Sequence, residues 1–90
     1  MKVIKIGASW CSGCMVMKPR WAKIEKDNPW LATQYFDYDE DKDKLQTYKL
    51  DTGKLPTFIF LNKDGEEIER LSGEVEKSKL LELINKYKDK

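Results

Sequence analysis

Histidine is absent from this chain of 90 residues, and cysteine occurs only twice. Without an imidazole there is no Ser-His or Cys-His nucleophile pair within the chain, no imidazole zinc site and no histidine switch near neutrality. Two cysteines cannot complete a four-ligand structural zinc site alone. Cys11 and Cys14 would close only a very small loop, so they make a poor disulfide framework. Long apolar runs are missing as well. None exceeds four residues, as in residues 58–61, so no membrane-spanning helix is expected. Residues 1–6 carry no extended apolar segment, so no secretory signal is read there. The expectation is a soluble protein of the cytoplasm.

What is present describes one globular domain, residues 1–90, near the lower end of what a single core supports. Charged residues make up 37% of the chain, against a usual share of about 25%. The net charge is only +1, but it is unevenly spread. Residues 1–26 hold six Lys/Arg against one Glu, and residues 27–44 hold six Asp/Glu against two Lys. Nucleic-acid binding calls for a larger basic excess with aromatics between the cations, so the basic part reads as a solvated helix face.

No internal repeat, low-complexity segment or linker interrupts the chain. Residues 3–6 read as a short buried strand leading into Gly7-Ala8-Ser9. A helix fits from Ser12 to Asp27, because Cys14, Met17, Trp21 and Ile24 recur at steps of three and four. Pro19 lies inside that pattern and should kink it, and Asn28-Pro29 should end it. Residues 33–38 read as a second strand. The acidic Asp39-Glu40-Asp41 suits the positive end of a following short helix through Leu45 and Tyr48. Asp51-Thr52-Gly53 reads as a loop. Leu55-Pro56 enters a third strand over residues 57–61, and Asn62-Lys63-Asp64-Gly65 signals a hairpin. The returning strand, residues 66–72, is charged enough to lie at a sheet edge. Leu80, Leu81, Ile84 and Tyr87 mark a final amphipathic helix. The order β-α-β-α-β-β-α implies a mixed four-stranded sheet flanked by helices, with the first two strands parallel.

Trp10-Cys11-Ser12-Gly13-Cys14 falls where the first strand hands over to the first helix. A helix N-terminus presents unpaired N–H groups and about half a positive charge, which stabilises a thiolate. The spacing puts both sulfurs on one edge of the first turn. Cys11 is expected at the exposed tip and Cys14 toward the buried face. That division suits dithiol exchange: Cys11 attacks a substrate disulfide, and Cys14 then attacks Cys11 and releases the reduced substrate. Two other readings of the pair stand beside it. The cysteines could be small buried hydrophobes, or half of a zinc or iron–sulfur site shared between two chains.

The sequence resembles the thioredoxin family over nearly its whole length. Trp10-Cys11-Ser12-Gly13-Cys14 matches the family's tryptophan-preceded active site, and Pro19 the position where its active-site helix kinks. Leu55-Pro56-Thr57 matches the segment with the family's cis-proline, Asp64-Gly65 its late hairpin turn, and Gly73 a glycine lining its substrate groove. Asp37 and Asp39 match the acidic end of its second strand. The resemblance implies a thioredoxin-like fold and thiol–disulfide oxidoreductase activity directed at protein disulfides. It makes Cys11 the nucleophile and Cys14 the resolving thiol, with no bound cofactor and no metal. Trp10, Leu55, Pro56, Thr57 and Gly73 would form the substrate groove, with Leu55 offering its backbone to an extended substrate and Gly73 letting it approach closely. Met15 would add an exposed apolar rim beside Cys11, while Trp21 and Trp30 would pack. Partners would be disulfide-containing proteins, and a thioredoxin reductase or a small-molecule thiol as electron donor. A monomer that binds neither nucleic acid nor membrane is expected.

Three departures from the family's pattern matter. The family's usual first strand and helix have no counterpart in these residues, leaving a glutaredoxin-sized core. Ser12-Gly13 replaces a dipeptide that usually ends in proline. Gly13 should loosen the first turn and make the dithiol less reducing. Lys5 stands where thioredoxins usually bury an aspartate with a proton-relay role, which Lys5 cannot take over. Its ammonium could face Cys14 and modulate the thiol pKa, pair with Asp37 or Asp39, or extend to solvent. Two alternatives to a thioredoxin remain: a glutathione-dependent, glutaredoxin-like reductase, or a redox-inactive binding module on the same fold. Glutaredoxins usually carry a paired glycine after the hairpin, whereas Gly73 stands alone between Ser72 and Glu74.

Overall fold

Val3, Ile4 and Ile6 put β-branched side chains on both sides of an extended chain, and β1 forms there, from Lys2 to Gly7. In this computed structural model, which describes residues 1–50 and 54–90, β1 leads into α1 (Ser12–Asp27) and then β2 (Ala32–Asp37). A short α2 (Lys42–Leu45) runs on into a 3-10 turn over Gln46–Tyr48. The hairpin of β3 (Thr57–Leu61) and β4 (Glu67–Ser72) follows, and α3 (Lys77–Tyr87) closes the chain. The loop expected at Asp51-Thr52-Gly53 lies outside the described residues.

The sheet order is β2-β1-β3-β4. β1 pairs in parallel with β2, and β3 pairs antiparallel with both β1 and β4. The charged β4 therefore lies at an edge, as expected. All five residues of β3 are buried, which accounts for its unbroken Thr-Phe-Ile-Phe-Leu sequence. Because successive side chains alternate across a sheet, the strands feed two apolar clusters. On one face Val3, Phe58 and Phe60 meet Met17, Trp21 and Ile24 of α1 and Leu80, Leu83 and Ile84 of α3. On the other face Ile4, Ile6, Ile59 and Leu61 meet Phe36 and Leu45.

Helix α1 has the bounds that the sequence pattern implies, and Pro19 lies within it. Asn28 ends it with both its backbone N–H and its side-chain Nδ2 donating to the carbonyl of Ile24 at 2.9 Å. The chain then turns through Leu31 N–H donating to Asn28 O, which directs Leu31 inward and leaves Trp30 51% exposed. The expected packing of Trp30 is thus corrected, while Trp21 is buried against Phe58 with ring centroids 5.4 Å apart. In α3 the buried stripe is Leu80, Leu83 and Ile84, with Leu81 and Tyr87 packed at its margin.

The β3–β4 turn is built by Asn62. Its Oδ1 accepts the N–H groups of Asp64 and Glu66, each at 2.9 Å, and Gly65 N–H donates to Asn62 O. Gly65 has φ +83°, and a Cβ there would meet nothing within 4 Å. The penalty for Gly65→Ala is therefore backbone conformation alone. We expect a loss of about 1–2 kcal/mol in denaturant unfolding, with no change in thiol chemistry.

Candidate functional site

Cys11 is the N-cap of α1, with extended backbone, and its Sγ accepts the backbone N–H of Cys14 at 3.2 Å. A sulfur thus takes the place of the usual capping oxygen at the third helical residue. No acidic residue lies in the first turn to oppose negative charge there. Cys11 and Cys14 are joined as a disulfide, with Cα atoms 5.3 Å apart.

The exposures differ from the sequence-based expectation. Cys11 is only 8% exposed, because its sulfur folds back over the first turn as the cap, and Cys14 is half-buried rather than the more covered of the two. Cys14 instead faces the end of β1. A Cβ built on Gly7 would lie 3.1 Å from Cys14 Sγ. Gly7 is thus the strand residue whose lack of a side chain lets the second cysteine sit against the sheet.

The loop before β3 closes on the dithiol turn. The Leu55–Pro56 bond is cis. A Cβ on Gly13 would lie 3.2 Å from Pro56 Cδ and 3.6 Å from Glu74 Cγ, so the proline, the dipeptide between the cysteines and the segment after β4 meet at one point. Gly73 N–H donates to Pro56 O at 2.7 Å, and Gly73 takes φ +84°. Thr57 is buried, with its hydroxyl donating to Lys54 O and lying 3.4 Å from Ser72 Oγ. Leu55 is half-buried and packs against the second apolar cluster. The segment after Gly73 is anchored to α1 by Arg20 Nη1 donating to Val75 O at 2.6 Å.

Trp10 is largely exposed but not loose. Its indole Nε1 donates to Asp39 Oδ2 at 2.7 Å, and its ring stands edge-on to Tyr38 at 6.2 Å. The acidic stretch serves this anchorage more than it caps α2. Asp37 Oδ1 accepts the N–H groups of Asp39 and Glu40, and Asp41 Oδ2 accepts that of Asp37. Those bonds fix the turn that presents Asp39 to Trp10. Met15 is exposed beside the cysteines, as expected.

Lys5 follows none of its three expected courses. Its Nζ donates to Glu25 Oε2 of α1 at 2.8 Å and lies 5.8 Å from the centre of the Trp21 ring. Glu25 also accepts the Thr33 hydroxyl at 2.8 Å. A lysine on the core-facing side of a central strand is thereby compensated by a carboxylate and an aromatic face. Glu25 was not singled out in the sequence, because its pairing depends on how α1 crosses β1. Tyr35 is a second residue that the sequence pattern alone did not single out. It stands beside Lys5 in the β1–β2 register, and its hydroxyl would lie 3.0 Å from a Cβ on Gly7. Burial first, then the charges of Asp37, Asp41 and Glu40, hold its phenol above the ordinary value of 10.0.

Comparison with known proteins gives this arrangement its context. A family model described as thioredoxin matches residues 1–87. An H-type thioredoxin of Fagopyrum esculentum is 38% identical over 82 residues, covering 91% of this chain and 67% of that protein. A thioredoxin of Chlamydia pneumoniae is 32% identical over 80 residues, covering 89% of this chain and 76% of its own length. The structure of Fasciola hepatica thioredoxin superposes with a TM-score of 0.84 at 30% identity, over 96% of this chain and 79% of that one. These likenesses do not favour the glutaredoxin alternative. With an intact Cys-x-x-Cys pair at a strand-to-helix junction, the chain belongs to the thioredoxin family and is a thiol–disulfide oxidoreductase that acts on disulfide-containing proteins.

Proposed function

We propose that this protein reduces protein disulfides with Cys11 as the attacking thiol and Cys14 as the resolving thiol. The observation that carries the assignment is the capping bond: Cys11 Sγ accepts an N–H at the positive end of a 16-residue helix. Both the dipole and the hydrogen bond favour the thiolate over the thiol, which lowers the pKa of Cys11 in the reduced protein. The Cys11 thiolate attacks one sulfur of the substrate disulfide. A Cys11–substrate bond forms, and the first substrate thiolate leaves. Cys14, as thiolate, then attacks Cys11 Sγ, and the second substrate thiolate leaves with the electron pair. The departing thiolates take protons from water, and the protein is left with the Cys11–Cys14 disulfide.

The substrate chain lies against Trp10, the backbone of Leu55, Pro56 and Thr57, and Gly73. Ser12 and Gly13 keep the first turn narrow enough for that approach, since Gly13 already lies close to Pro56. The disulfide is returned to the dithiol by a thioredoxin reductase or a small thiol. The protein acts as a monomer, in a compartment reducing enough to sustain that supply, such as the cytoplasm. Among the described residues, no helix is long and apolar enough to cross a membrane.

The test is insulin reduction by dithiothreitol, followed as turbidity. The protein is expected to speed precipitation well above dithiothreitol alone, and a rate equal to that background would overturn the proposal. Equilibration of the Cys11–Cys14 pair with a redox buffer gives its potential. A value on the oxidising side of the glutathione poise would make the protein an oxidant rather than a reductant.

A further inference from the structure

Gly7 leaves a gap too narrow for a methyl group without some adjustment, and two reactive atoms flank it. A Cβ there would be 3.0 Å from the Tyr35 hydroxyl and 3.1 Å from Cys14 Sγ. In the disulfide form the Tyr35 hydroxyl makes no hydrogen bond among the described residues. The space opens into a groove of about 450 Å³ that Lys5, Cys14, Lys18, Tyr35 and Asp37 help to line. Two of the other charged groups that line it are already engaged. Lys5 is held by Glu25, and Asp37 Oδ1 accepts two backbone N–H groups. Lys18 is exposed on α1.

From this geometry we propose that Tyr35 is a positioning residue for the resolving step, donating a hydrogen bond across the Gly7 gap to the Cys14 thiolate once the disulfide is opened. Opening the disulfide frees Cys14 Sγ from Cys11, and rotation about its Cα–Cβ bond is the movement by which it would approach the hydroxyl. The raised phenol pKa keeps Tyr35 a donor throughout the pH range in which the thiols titrate. Tyr35 keeps its own proton. The Cys14 proton passes to water, the thiolate attacks Cys11 Sγ, and the electron pair leaves on the substrate sulfur as before. A hydrogen bond to the charged form lowers the Cys14 pKa and so enlarges the reactive fraction.

The inference rests on the assignment of Cys14 as resolving thiol, and its test separates the two. In a Cys11→Ser background Cys14 is the only thiol, and its pKa is read from the pH profile of iodoacetamide alkylation. Adding Tyr35→Phe is expected to raise that pKa by about one unit. Charged groups facing the pair are Lys5 from β1, Asp37 from β2, Glu40 and Asp41 from the following turn, and Lys18 and Glu25 from α1. All are retained in both proteins, so they cancel in the comparison. In the two-cysteine protein, a higher pKa enlarges the proton cost but also sharpens the nucleophile, with a Brønsted coefficient of about 0.4–0.5. Release of the second substrate thiol is therefore expected to slow about three- to fourfold at a pH below the Cys14 pKa. The first step, measured in Cys14→Ser with and without Tyr35→Phe, is expected to stay unchanged. Coincident alkylation profiles, or equal slowing of both steps, would overturn the role of Tyr35. If the parent protein reduces no disulfide at all, the functional assignment fails, while the alkylation profiles still decide the contact.

Discussion

The Cys11→Ser variant is expected to lose all acceleration of insulin reduction over dithiothreitol alone, while Cys14→Ser should stop halfway and hold its substrates. The asymmetry follows from the first turn of α1. Cys11 is the N-cap sulfur and takes an N–H from Cys14, so it is the thiol that the helix stabilises as an anion. Serine in its place still caps the helix, so Cys11→Ser removes the nucleophile without unfolding the turn. Among the described residues Cys14 Sγ accepts no such bond, and it lies against Gly7 at the strand end. It can reach Cys11, with Cα atoms 5.3 Å apart, which suits it to the second attack. With Cys14→Ser, the first attack proceeds and nothing resolves the product. Non-reducing electrophoresis should then show a substrate-linked species that thiols release, and mass spectrometry should locate the bond at Cys11. An adduct on Cys14 in Cys11→Ser, at a similar rate, would reverse the two roles.

What the sequence made legible was whatever depended on local pattern. The bounds of α1 and the burial of Met17, Trp21 and Ile24 followed from spacing, and the N-terminal placement of Cys11 followed from the strand-to-helix junction. The hairpin followed from Asn62 and Gly65, since the side chain and the positive φ are both properties of those residue types. Contacts set by long-range geometry were not legible. Lys5 and Glu25 are 20 residues apart, and only the path of α1 over β1 brings them together. Tyr35 and Cys14 both come to border Gly7 only through the parallel register of β1 and β2 and the path of α1. Trp30 and Leu31 are adjacent apolar residues, and a turn can direct only one of them inward. Cys11 was expected to be exposed because it begins a helix, but a rotamer choice decides that, and the capping bond draws the sulfur in.

The frame that carries this site is expected to depend most steeply on β3. Phe60 is fully buried in that central strand, in register with Val3 on one side and Glu69 on the other, with Tyr87 of α3 at 6.4 Å. Phe60→Ala should cost about 3–5 kcal/mol, combining lost burial with the cavity left among Trp21, Phe58 and the α3 leucines. A domain of this size holds roughly 5–13 kcal/mol in total, so one side chain accounts for a large share. At about 4–8 °C per kcal/mol, the melting temperature should fall by roughly 12–40 °C. The chemistry should follow the fold rather than the residue. Phe60 touches neither cysteine, but β3 begins at Thr57, directly after Pro56, so melting the strand removes the loop that faces the dithiol. Below the lowered transition, Cys11 alkylation at neutral pH should match the parent. Above it, the rate should drop toward that of an ordinary cysteine, because the helix that stabilises the thiolate has gone. Circular dichroism and alkylation followed through the same temperature ramp check both statements. A melting shift below about 5 °C would mean that the core closes over the missing ring, and a reactivity change well below the transition would mean that β3 tunes the thiols directly.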